Sequence, residues 1–340
     1  MKLRSGFVSI IGRPNSGKST LINALVGDKV AIVSAKPQTT RNRIHGILEV
    51  PAIKGGHPAA QIVFVDTPGV HKPGTSLDKR MMQEVYDALE TRDVVLLIMD
   101  ATRRLELPEP DLAEPGTHVE TKGKRTESED AFAFELLRKL DCPVFLLINK
   151  IDLIERAKLL PLMQRLSSLY NFAEVIPISA RKRDGLDRLV AKLIDVLPAG
   201  ERFFPKDQFT DQPERFLVAE LIRERILVET GEEVPYASAV VVERFEEPEI
   251  AATKPVTHIS AVIYCERSGQ KAILIGKGGS KLKAIGTSAR REIESLLGTK
   301  VFLELHVIVK ENWRESRAFV ESLDWRRQLE NLSAKQGKDD

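Results

Sequence analysis

The sequence of 340 residues predicts a mostly parallel sheet with helices on both faces, followed by a smaller α+β unit. Over residues 1–200, short apolar runs rich in β-branched residues alternate with segments of helical period. A glycine-rich loop follows the first apolar run directly, where a parallel sheet binds ligands. The alternation ends near Leu197–Phe209, in the sequence LPAGERFFPKDQF, which is typical of a linker.

Five apolar runs predict the strands of the first domain: Phe7–Ile11, Ile62–Val65, Val94–Met99, Val144–Ile148 and Val175–Ile178. Five segments of helical period accompany them: Ser19–Leu25, Leu77–Leu89, Phe132–Leu140, Leu159–Leu169 and Leu186–Leu197. Two segments interrupt the alternation. We expect residues 51–60 to form a long hairpin connection, and residues 102–130, rich in Pro, Glu and Thr, to be a flexible insertion without chemistry.

The second domain is expected to be α+β with an antiparallel sheet. Its predicted elements are a helix over Glu214–Glu229, strands over Ala237–Phe245 and His258–Cys265, helical structure across Ile273–Leu297, a strand over Val301–Val309 and a helix near Trp313–Trp325. We therefore predict a first domain over residues 1–200, a linker over 201–212, a second domain over 213–330 and a polar tail over 331–340.

Composition narrows the class of protein only slightly. A hydrophobic content of 42% and a charged content of 29% are ordinary for a globular protein, and the net charge is +2. No stretch approaches the roughly 18 apolar residues of a membrane span, and the first apolar run leads into a glycine-rich loop rather than a cleavage site. We therefore expect a cytoplasmic protein. Cys142 and Cys265 have no metal-ligand spacing and are expected to be reduced thiols.

The glycine-rich loop, Gly12-Arg-Pro-Asn-Ser-Gly17-Lys18-Ser19, matches the phosphate-binding P-loop pattern. Its glycines let backbone N–H groups turn toward phosphate oxygens at the positive end of a helix. Lys18 is expected to neutralise the β- and γ-phosphates, and the Ser19 hydroxyl to ligate Mg²⁺. The predicted phosphate-binding residues are Gly12, Asn15, Ser16, Gly17, Lys18, Ser19 and Thr20.

Two further motifs suit the γ-phosphate and its metal ion. Asp66-Thr-Pro-Gly69 ends a predicted strand, so Asp66 can hold Mg²⁺ and Gly69 can bring its N–H to the γ-phosphate. The segment Pro37–Arg41 lies between these motifs, where nucleotide switches place a threonine on Mg²⁺. Thr40 is the preferred ligand and Thr39 the alternative. Lys18, Thr40 and Gly69 are therefore the expected catalytic residues.

A guanine-reading motif, Asn149-Lys-Ile-Asp152, follows the fourth predicted strand. The Asp152 carboxylate can accept hydrogen bonds from guanine N1–H and the exocyclic amine, a donor pair that adenine lacks. Lys150 can cover the face of the base. Ser179-Ala180, after the fifth strand, offers a backbone N–H to guanine O6. Together the motifs predict a GTP- and GDP-binding site.

Hydrolysis of GTP is expected to be slow. In many switch GTPases a glutamine follows the glycine of the second motif and orients the attacking water. Val70 occupies that position here and cannot hydrogen-bond water through its side chain. His71 comes next and is only a minor candidate for this role.

The second domain contains a basic block without acidic residues between Lys271 and Arg291. Within it, Ile275-Gly-Lys-Gly-Gly279 matches the GxxG loop of KH domains, which clamps about four nucleotides of a single strand. The αββααβ order and the basic flanks support this interpretation. The predicted RNA-binding residues are Gly276, Lys277, Gly278, Gly279, Lys281 and Lys283.

The motifs together resemble the Era family of bacterial GTPases. The resemblance extends from Ser5 to Arg327 and includes Gly231–Phe245, Ile275–Gly286 and Glu311–Trp325. It implies binding to the small (30S) ribosomal subunit near the 3′ end of 16S rRNA, a role in its maturation, and peripheral association of some members with the inner membrane. Similar GTPases with an asparagine at the position of Asn15 can hold K⁺ beside the β- and γ-phosphates. The insertion at 102–130 and Ser16, where an apolar residue is frequent, depart from the family.

Two functions of different class remain open from the sequence. In the first, the bound guanine nucleotide gates RNA binding during ribosome assembly. In the second, the protein is an RNA-binding scaffold with vestigial hydrolysis. An RNA-modifying GTPase is disfavoured because the second domain has no catalytic cysteine, metal cluster or cofactor loop in its sequence.

Overall fold

The computed structural model describes residues 2–34, 36–70, 73–104, 128–231, 233–248 and 255–329. His71, most of the insertion predicted at 102–130 and the tail predicted at 331–340 lie outside these described residues. Contacts divide the chain into two compact units. The first comprises Met1–Asp28, Gly46–Lys72 and Glu84–Phe209, and the second comprises Lys29–His45, Pro73–Gln83 and Thr210–Asp340. Two segments of the predicted first domain, 29–45 and 73–83, thus group with the C-terminal unit.

The first sheet has six strands in the order β2–β3–β1–β4–β5–β6, with β1 near its centre. The strands are β1 (Arg4–Ile11), β2 (Ile44–Val50), β3 (Ala60–Asp66), β4 (Val94–Asp100), β5 (Val144–Asn149) and β6 (Glu174–Pro177). The pairs β1–β3, β1–β4, β4–β5 and β5–β6 are parallel, which confirms the prediction of a mostly parallel sheet. The prediction missed β2, whose sequence IHGILEV is broken by a glycine.

Five helices accompany this sheet: α1 (Lys18–Val26), α2 (Ser76–Glu90), α3 (Glu129–Leu137), α4 (Arg156–Ser167) and α5 (Leu186–Val196). Each corresponds to a predicted helix, with shifted ends. The start of α3 lies three residues before the predicted Phe132, because the Ser128 hydroxyl accepts a hydrogen bond from Ala131 N at 3.1 Å and caps the helix.

The second unit contains a three-stranded sheet in the order β7–β8–β9. Its strands are β7 (Ala239–Glu246), β8 (Val256–Cys265) and β9 (Lys300–Val309), and its helices are α6 (Glu214–Glu229), α7 (Ser268–Ile275), α8 (Ser280–Leu297) and α9 (Arg317–Ser322). The prediction of an antiparallel sheet is wrong for one of its two pairs. β7 and β8 are antiparallel, whereas β9 runs parallel to β8 because α7 and α8 form a crossover between them.

The core of the second unit lies between one face of its sheet and the helices α6 and α8. Ile222, Ile226, Ile285 and Ile293 are fully buried there against sheet residues such as Ile263. This packing fixes α8, and with it the GxxG loop at its start, on a rigid support. In the described part of the chain, no helix combines the length and apolar character that crossing a membrane requires.

Candidate functional site

The predicted P-loop lies between the end of β1 and the start of α1. Its last backbone amides are therefore those of a helix N-terminus, which attracts anions. Gly17 has a φ of 104° and Asn15 a φ of 64°. Both angles are in the left-handed region, which glycine and asparagine adopt most readily. A Cβ atom on Gly17 would also lie 2.2 Å from Asn149 Nδ2. The loop therefore has the tight turn and close packing of an anion cradle.

The Lys18 side chain lies inside this loop. Its Nζ donates to Gly12 O at 3.0 Å and to Arg13 O at 3.1 Å, and the residue is 6% exposed. Burial lowers the pKa of Lys18 to about 8, although the carboxylates of Asp66 and Glu129 oppose the shift. A cation that is buried among backbone carbonyls is stabilised by a bound anion, so the loop fits a phosphate chain.

Ser19 and Asp66 lie together at the carboxyl end of β3. The Ser19 hydroxyl donates to Asp66 Oδ2 at 2.7 Å, and Asp66 is fully buried. A hydroxyl and a carboxylate are oxygen ligands of the kind that Mg²⁺ prefers. The two residues thus fit the predicted metal site.

The loop after β3 packs on the P-loop. Val70 N donates to Gly12 O at 3.1 Å, and the Val70 side chain is fully buried. A Cβ atom on Gly69 would lie 2.7 Å from Pro14 Cγ and 2.9 Å from Pro14 N. Only glycine allows this approach of the two backbones, which brings the Gly69 peptide to the phosphate cradle.

Asn149 braces two loops. Its Nδ2 donates to Ser16 O at 2.8 Å, its Oδ1 accepts from Ala180 N at 3.0 Å, and the residue is 2% exposed. The sequence assigned Asn149 to the nucleotide and a backbone N–H of Ser179-Ala180 to guanine O6. In the structure Asn149 Oδ1 and the Ala180 N–H are bonded to each other, and the asparagine fixes the P-loop against the loop after β6.

Asp152 follows in a 3-10 turn, where Ser179 Oγ donates to its Oδ1 at 2.7 Å. Lys150 Nζ donates to Asn15 O at 2.8 Å and to Asp100 Oδ2 at 2.6 Å. Burial raises the pKa of Asp100, but hydrogen bonds from Lys150 and Thr102 outweigh burial and hold it below its usual value. Asp152 and Ser179 thus lie together, and Lys150 bonds the P-loop at Asn15 O.

The sequence interpretation missed Asp100 and the partners of Arg13. Arg13 Nε lies 2.9 Å from Glu129 Oε2, and its Nη1 lies 3.1 Å from Asp130 Oδ2, so α3 anchors the P-loop. Asp100 ends a parallel strand, as Asp66 and Asn149 do. That position at the ligand-binding edge of the sheet is a signal that could have identified it. The contacts of Arg13 had no such signal.

The GxxG loop joins α7 to α8 through three residues in the left-handed region, Gly276, Gly278 and Gly279, with φ of 73°, 60° and 78°. Beside it lies a groove of about 370 Å³. The groove is lined by Gly279, Leu282, Lys283, Gly286, Thr287, Arg290, Leu303 and Leu305. It has basic residues on one side and an apolar floor that includes the edge strand β9, a combination that suits a single-stranded nucleic acid.

The remaining predicted residues lie in the second unit. Lys281 is not among the residues that line the groove, because its Nζ donates to Glu229 O at 2.7 Å. Thr39 Oγ1 donates to Lys36 O at 2.6 Å, whereas Thr40 is 5% exposed. The Thr39 hydroxyl is thus engaged with the backbone. The choice between them remains a prediction.

Comparisons with known proteins agree with these two sites. A family model described as 50S ribosome-binding GTPase matches residues 7–150, and a KH domain model matches residues 233–314. The chain is 41% identical to GTPase Era of Ruminiclostridium cellulolyticum, over 96% of this chain and 99% of the relative. It is 46% identical to GTPase Era of Geotalea uraniireducens, over 93% and 95%.

Two solved structures are similar to this chain over most of its length. Aquifex aeolicus Era, a variant bound to GDP·AlF4⁻, is 38% identical with a TM-score of 0.80 and covers 94% of this chain and 98% of its own. Era in complex with MgGDPNP and nucleotides 1506–1542 of 16S ribosomal RNA is 39% identical with a TM-score of 0.81, over the same shares of 94% and 98%.

The fold and the sites define a P-loop GTPase that carries a C-terminal KH domain. Its similarity to curated relatives over nearly the full length goes further. The chain belongs to the GTPase Era family, and it is an enzyme that hydrolyses GTP to GDP and phosphate.

Proposed function

We propose that this GTPase binds single-stranded 16S ribosomal RNA in the groove beside its GxxG loop, and that the bound guanine nucleotide sets the affinity. The groove carries the proposal. Lys283 and Arg290 can follow the phosphates, and bases can cover Leu303 and Leu305. Because β9 lies at the edge of its sheet, its backbone groups can hydrogen-bond base edges.

The related structure with nucleotides 1506–1542 of 16S rRNA supports this choice of RNA. We infer a role in assembly of the small (30S) ribosomal subunit and in maturation of its RNA, which would take place in the cytoplasm. Peripheral association with the inner membrane, implied by the family resemblance, remains a prediction.

The nucleotide site would position GTP for in-line attack of water on the γ-phosphate. Lys18 and the Gly69 N–H would stabilise the charge that spreads over the γ-phosphate oxygens. Ser19, Asp66 and Thr40 would hold Mg²⁺, which supplies further positive charge to those oxygens when bound. The buried Val70 side chain cannot orient water, so we expect slow intrinsic turnover, as in a timed switch.

Guanine would be read by Asp152, whose carboxylate is already oriented by a hydrogen bond from the Ser179 hydroxyl. Lys150 would lie along the base while it holds the P-loop at Asn15 O. Since the Ala180 N–H is bonded to Asn149, guanine O6 would compete with Asn149 Oδ1 for this donor. Base selectivity therefore rests mainly on Asp152.

K⁺ is a further proposed activator. The amide oxygen of Asn15 is a neutral oxygen ligand, and a cation beside the β- and γ-phosphates would supply charge where other GTPases insert an arginine. The structure also gives Asn15 a second role, because its φ of 64° shapes the P-loop. A test therefore has to separate the effect of the Asn15 amide group from the effect of its backbone conformation.

RNA affinity measured with GDPNP and with GDP tests the proposed function. The probe is an RNA that covers nucleotides 1506–1542 of 16S rRNA, with a scrambled RNA as control. We expect tighter binding in one nucleotide state, and a loss of at least about tenfold in the Lys277→Asp/Gly278→Asp variant, because a carboxylate would face phosphates.

The exposed Lys139 of the first unit offers a control, since Lys139→Asp makes the same change of charge as the Lys277→Asp half of the loop variant, far from the groove in sequence. It should leave RNA affinity unchanged. GTP hydrolysis without RNA should persist in both variants. Unchanged RNA affinity of the loop variant at physiological salt would exclude the groove, and equal affinities with the two nucleotides would exclude gating.

A further inference from the structure

An arginine of the second unit holds the backbone next to the proposed metal ligand Thr40. Arg223, on α6, donates to Thr39 O through Nη2 and to Gln38 O at 3.4 Å through Nη1. Its guanidinium is fixed from behind by Glu220, with N–O distances of 2.7 Å and 2.6 Å. Arg223 is 2% exposed, so these bonds are shielded from water. The segment just before Thr40 is thus attached to α6.

A second arginine holds the other side of Thr40. Arg41 Nη1 donates to Ser238 O at 2.7 Å, and its Nη2 donates to Tyr236 O at 3.1 Å and to Pro235 O at 3.3 Å. The guanidinium also lies 5.7 Å from the centre of the Trp313 ring. Arg41 is 7% exposed. If this side chain moved away, its buried charge and these carbonyl groups would lose their hydrogen bonds, which costs free energy.

The helix α6 connects this segment to the RNA groove. Lys29 Nζ lies 2.5 Å from Glu224 Oε2 on α6 and 2.7 Å from Glu292 Oε2 on α8. Glu224 Oε1 also accepts from Val33 N at 2.9 Å. Since α8 begins at the GxxG loop, the segment 29–45 contacts the helix that carries the RNA clamp.

The C-terminal end of α6 is a second shared point. Lys36 Nζ donates to Leu227 O and Thr230 O, and Lys281 Nζ, in the first turn of α8, donates to Glu229 O at 2.7 Å. Lysines are stabilised at a helix C-terminus because its carbonyl groups carry partial negative charge. The segment 29–45 and the helix α8 therefore bind neighbouring carbonyl groups of one helix end.

We propose that Arg223 and Arg41 are positioning residues that make the Thr40 segment, Gln38–Arg41, an integral part of the RNA-binding unit. A nucleotide state sensed at Thr40 then acts on this unit as a whole, because the segment does not detach from α6. This inference rests on the proposed function, in which Thr40 responds to GTP and the groove binds RNA. It predicts that cutting the attachment leaves both binding activities in place and removes the coupling between them.

The test is the ratio of two dissociation constants, measured on the full chain with the 1506–1542 RNA and either Mg²⁺–GDP or Mg²⁺–GDPNP. Allosteric coupling of ordinary strength would give the parent a ratio of about 5 to 150. In Arg223→Met/Arg41→Met the ratio should fall to within about twofold of one, and RNA should no longer change GDPNP affinity, because coupling is reciprocal. Arg223→Met alone, which keeps the Arg41 bonds, should lower the ratio part of the way.

Two comparisons make this result specific. Arg223→Lys, which keeps the charge but not the planar fork, should restore part of the ratio. Arg215→Met makes the same change on the same helix, where the arginine donates to Glu243 O at 3.0 Å, and should keep the full ratio. A folded Arg223→Met protein with the parental ratio would overturn the inference and leave the proposed function standing. Equal RNA affinities in the parent would overturn gating, and the inference with it.

Trypsin cleavage after Arg41 gives a measurement that needs no substitution. Trypsin must bind the arginine side chain, which is 7% exposed in the attached segment. We expect the parent to resist cleavage at this bond with GDP and with GDPNP alike. Rapid cleavage there in the GDP state would show that the segment detaches, and would overturn the inference even if Arg223→Met does not fold.

Discussion

Asn149 and Asp152 should respond differently to substitution, although both belong to the motif that the sequence assigns to guanine. Asn149→Ala should weaken the binding of guanine and xanthine nucleotides by the same factor, because its amide group is bonded to the protein backbone at Ser16 O and Ala180 N. Asp152→Asn should instead shift preference from guanine toward xanthine nucleotides, since xanthine presents an acceptor where guanine presents an amine.

The size of the Asn149 effect follows from its two bonds. Alanine would leave Ser16 O, in a residue that is 2% exposed, without this partner, whereas the Ala180 N–H could then donate to O6 of either base. A buried polar group left unsatisfied costs about 1–3 kcal/mol, so we expect a loss of about 2 kcal/mol. Since about 1.4 kcal/mol corresponds to tenfold, affinity should fall by about 30-fold if the cost falls on binding. For Asp152→Asn the preference itself should reverse, because a hydrogen-bonded site rejects an analogue without the matching group by as much as about 10⁴–10⁵.

Titration with fluorescent GDP and XDP provides the assay, on the parent and both variants. Urea unfolding of nucleotide-free Asn149→Ala measures how much of the cost falls on the fold instead. An altered ratio of GDP to XDP affinity in Asn149→Ala would contradict its role as a brace. Parental GDP affinity in Asp152→Asn would show that the guanine site is assigned to the wrong residues.

Two further predictions concern the activation of GTP hydrolysis by K⁺ and the loss of folding stability in acid. GTP turnover should be faster in KCl than in matched NaCl, and Asn15→Gly, which permits the φ of 64°, should lose this difference while it keeps GDP affinity; equal rates in the two salts for the parent would reject the K⁺ site. Burial raises the pKa of Glu224, but hydrogen bonds from Lys29, Val33 N and Arg225 outweigh burial and hold it below the ordinary 4.5. Its stabilisation is therefore complete above pH 4.5 and is lost as the pH falls through the folded-state pKa. Urea unfolding between pH 3 and pH 6 should show a shallower acid loss in Glu224→Gln than in the parent, and identical slopes would contradict this assignment.

The sequence predicted best those elements that depend on local periodicity. The helix Glu214–Glu229 has the predicted ends, and the strand at Val144 ends one residue after the predicted Ile148. The P-loop and the GxxG loop were identified because each needs glycines at fixed positions between regular elements. The direction of β9 was wrong, since strand polarity depends on the path of the crossover rather than on the strand's own pattern.

The partners of the polar side chains could not be predicted. Arg41 was expected only as the end of a switch motif, and its partners are carbonyl groups of residues 235–238. Any residue offers a backbone carbonyl, so the sequence contains no complementary pattern to search for. The same holds for Arg223 and for Lys36. Assignment of residues 29–45 to the second unit follows from these long-range bonds and from nothing local.

The guanine motif shows how a short sequence pattern can combine two physical tasks. Two of its side chains, Asn149 and Lys150, donate to P-loop carbonyls at Ser16 and Asn15, whereas Asp152 meets Ser179. Because β1, β4 and β5 are parallel neighbours, their carboxyl ends meet at one edge, and residues that follow β5 can reach the loop that follows β1. The first half of the motif therefore fixes the phosphate cradle, and we propose that the second half reads the base. Substitutions in the two halves should separate affinity from selectivity, which a motif of four equivalent ligands would not allow.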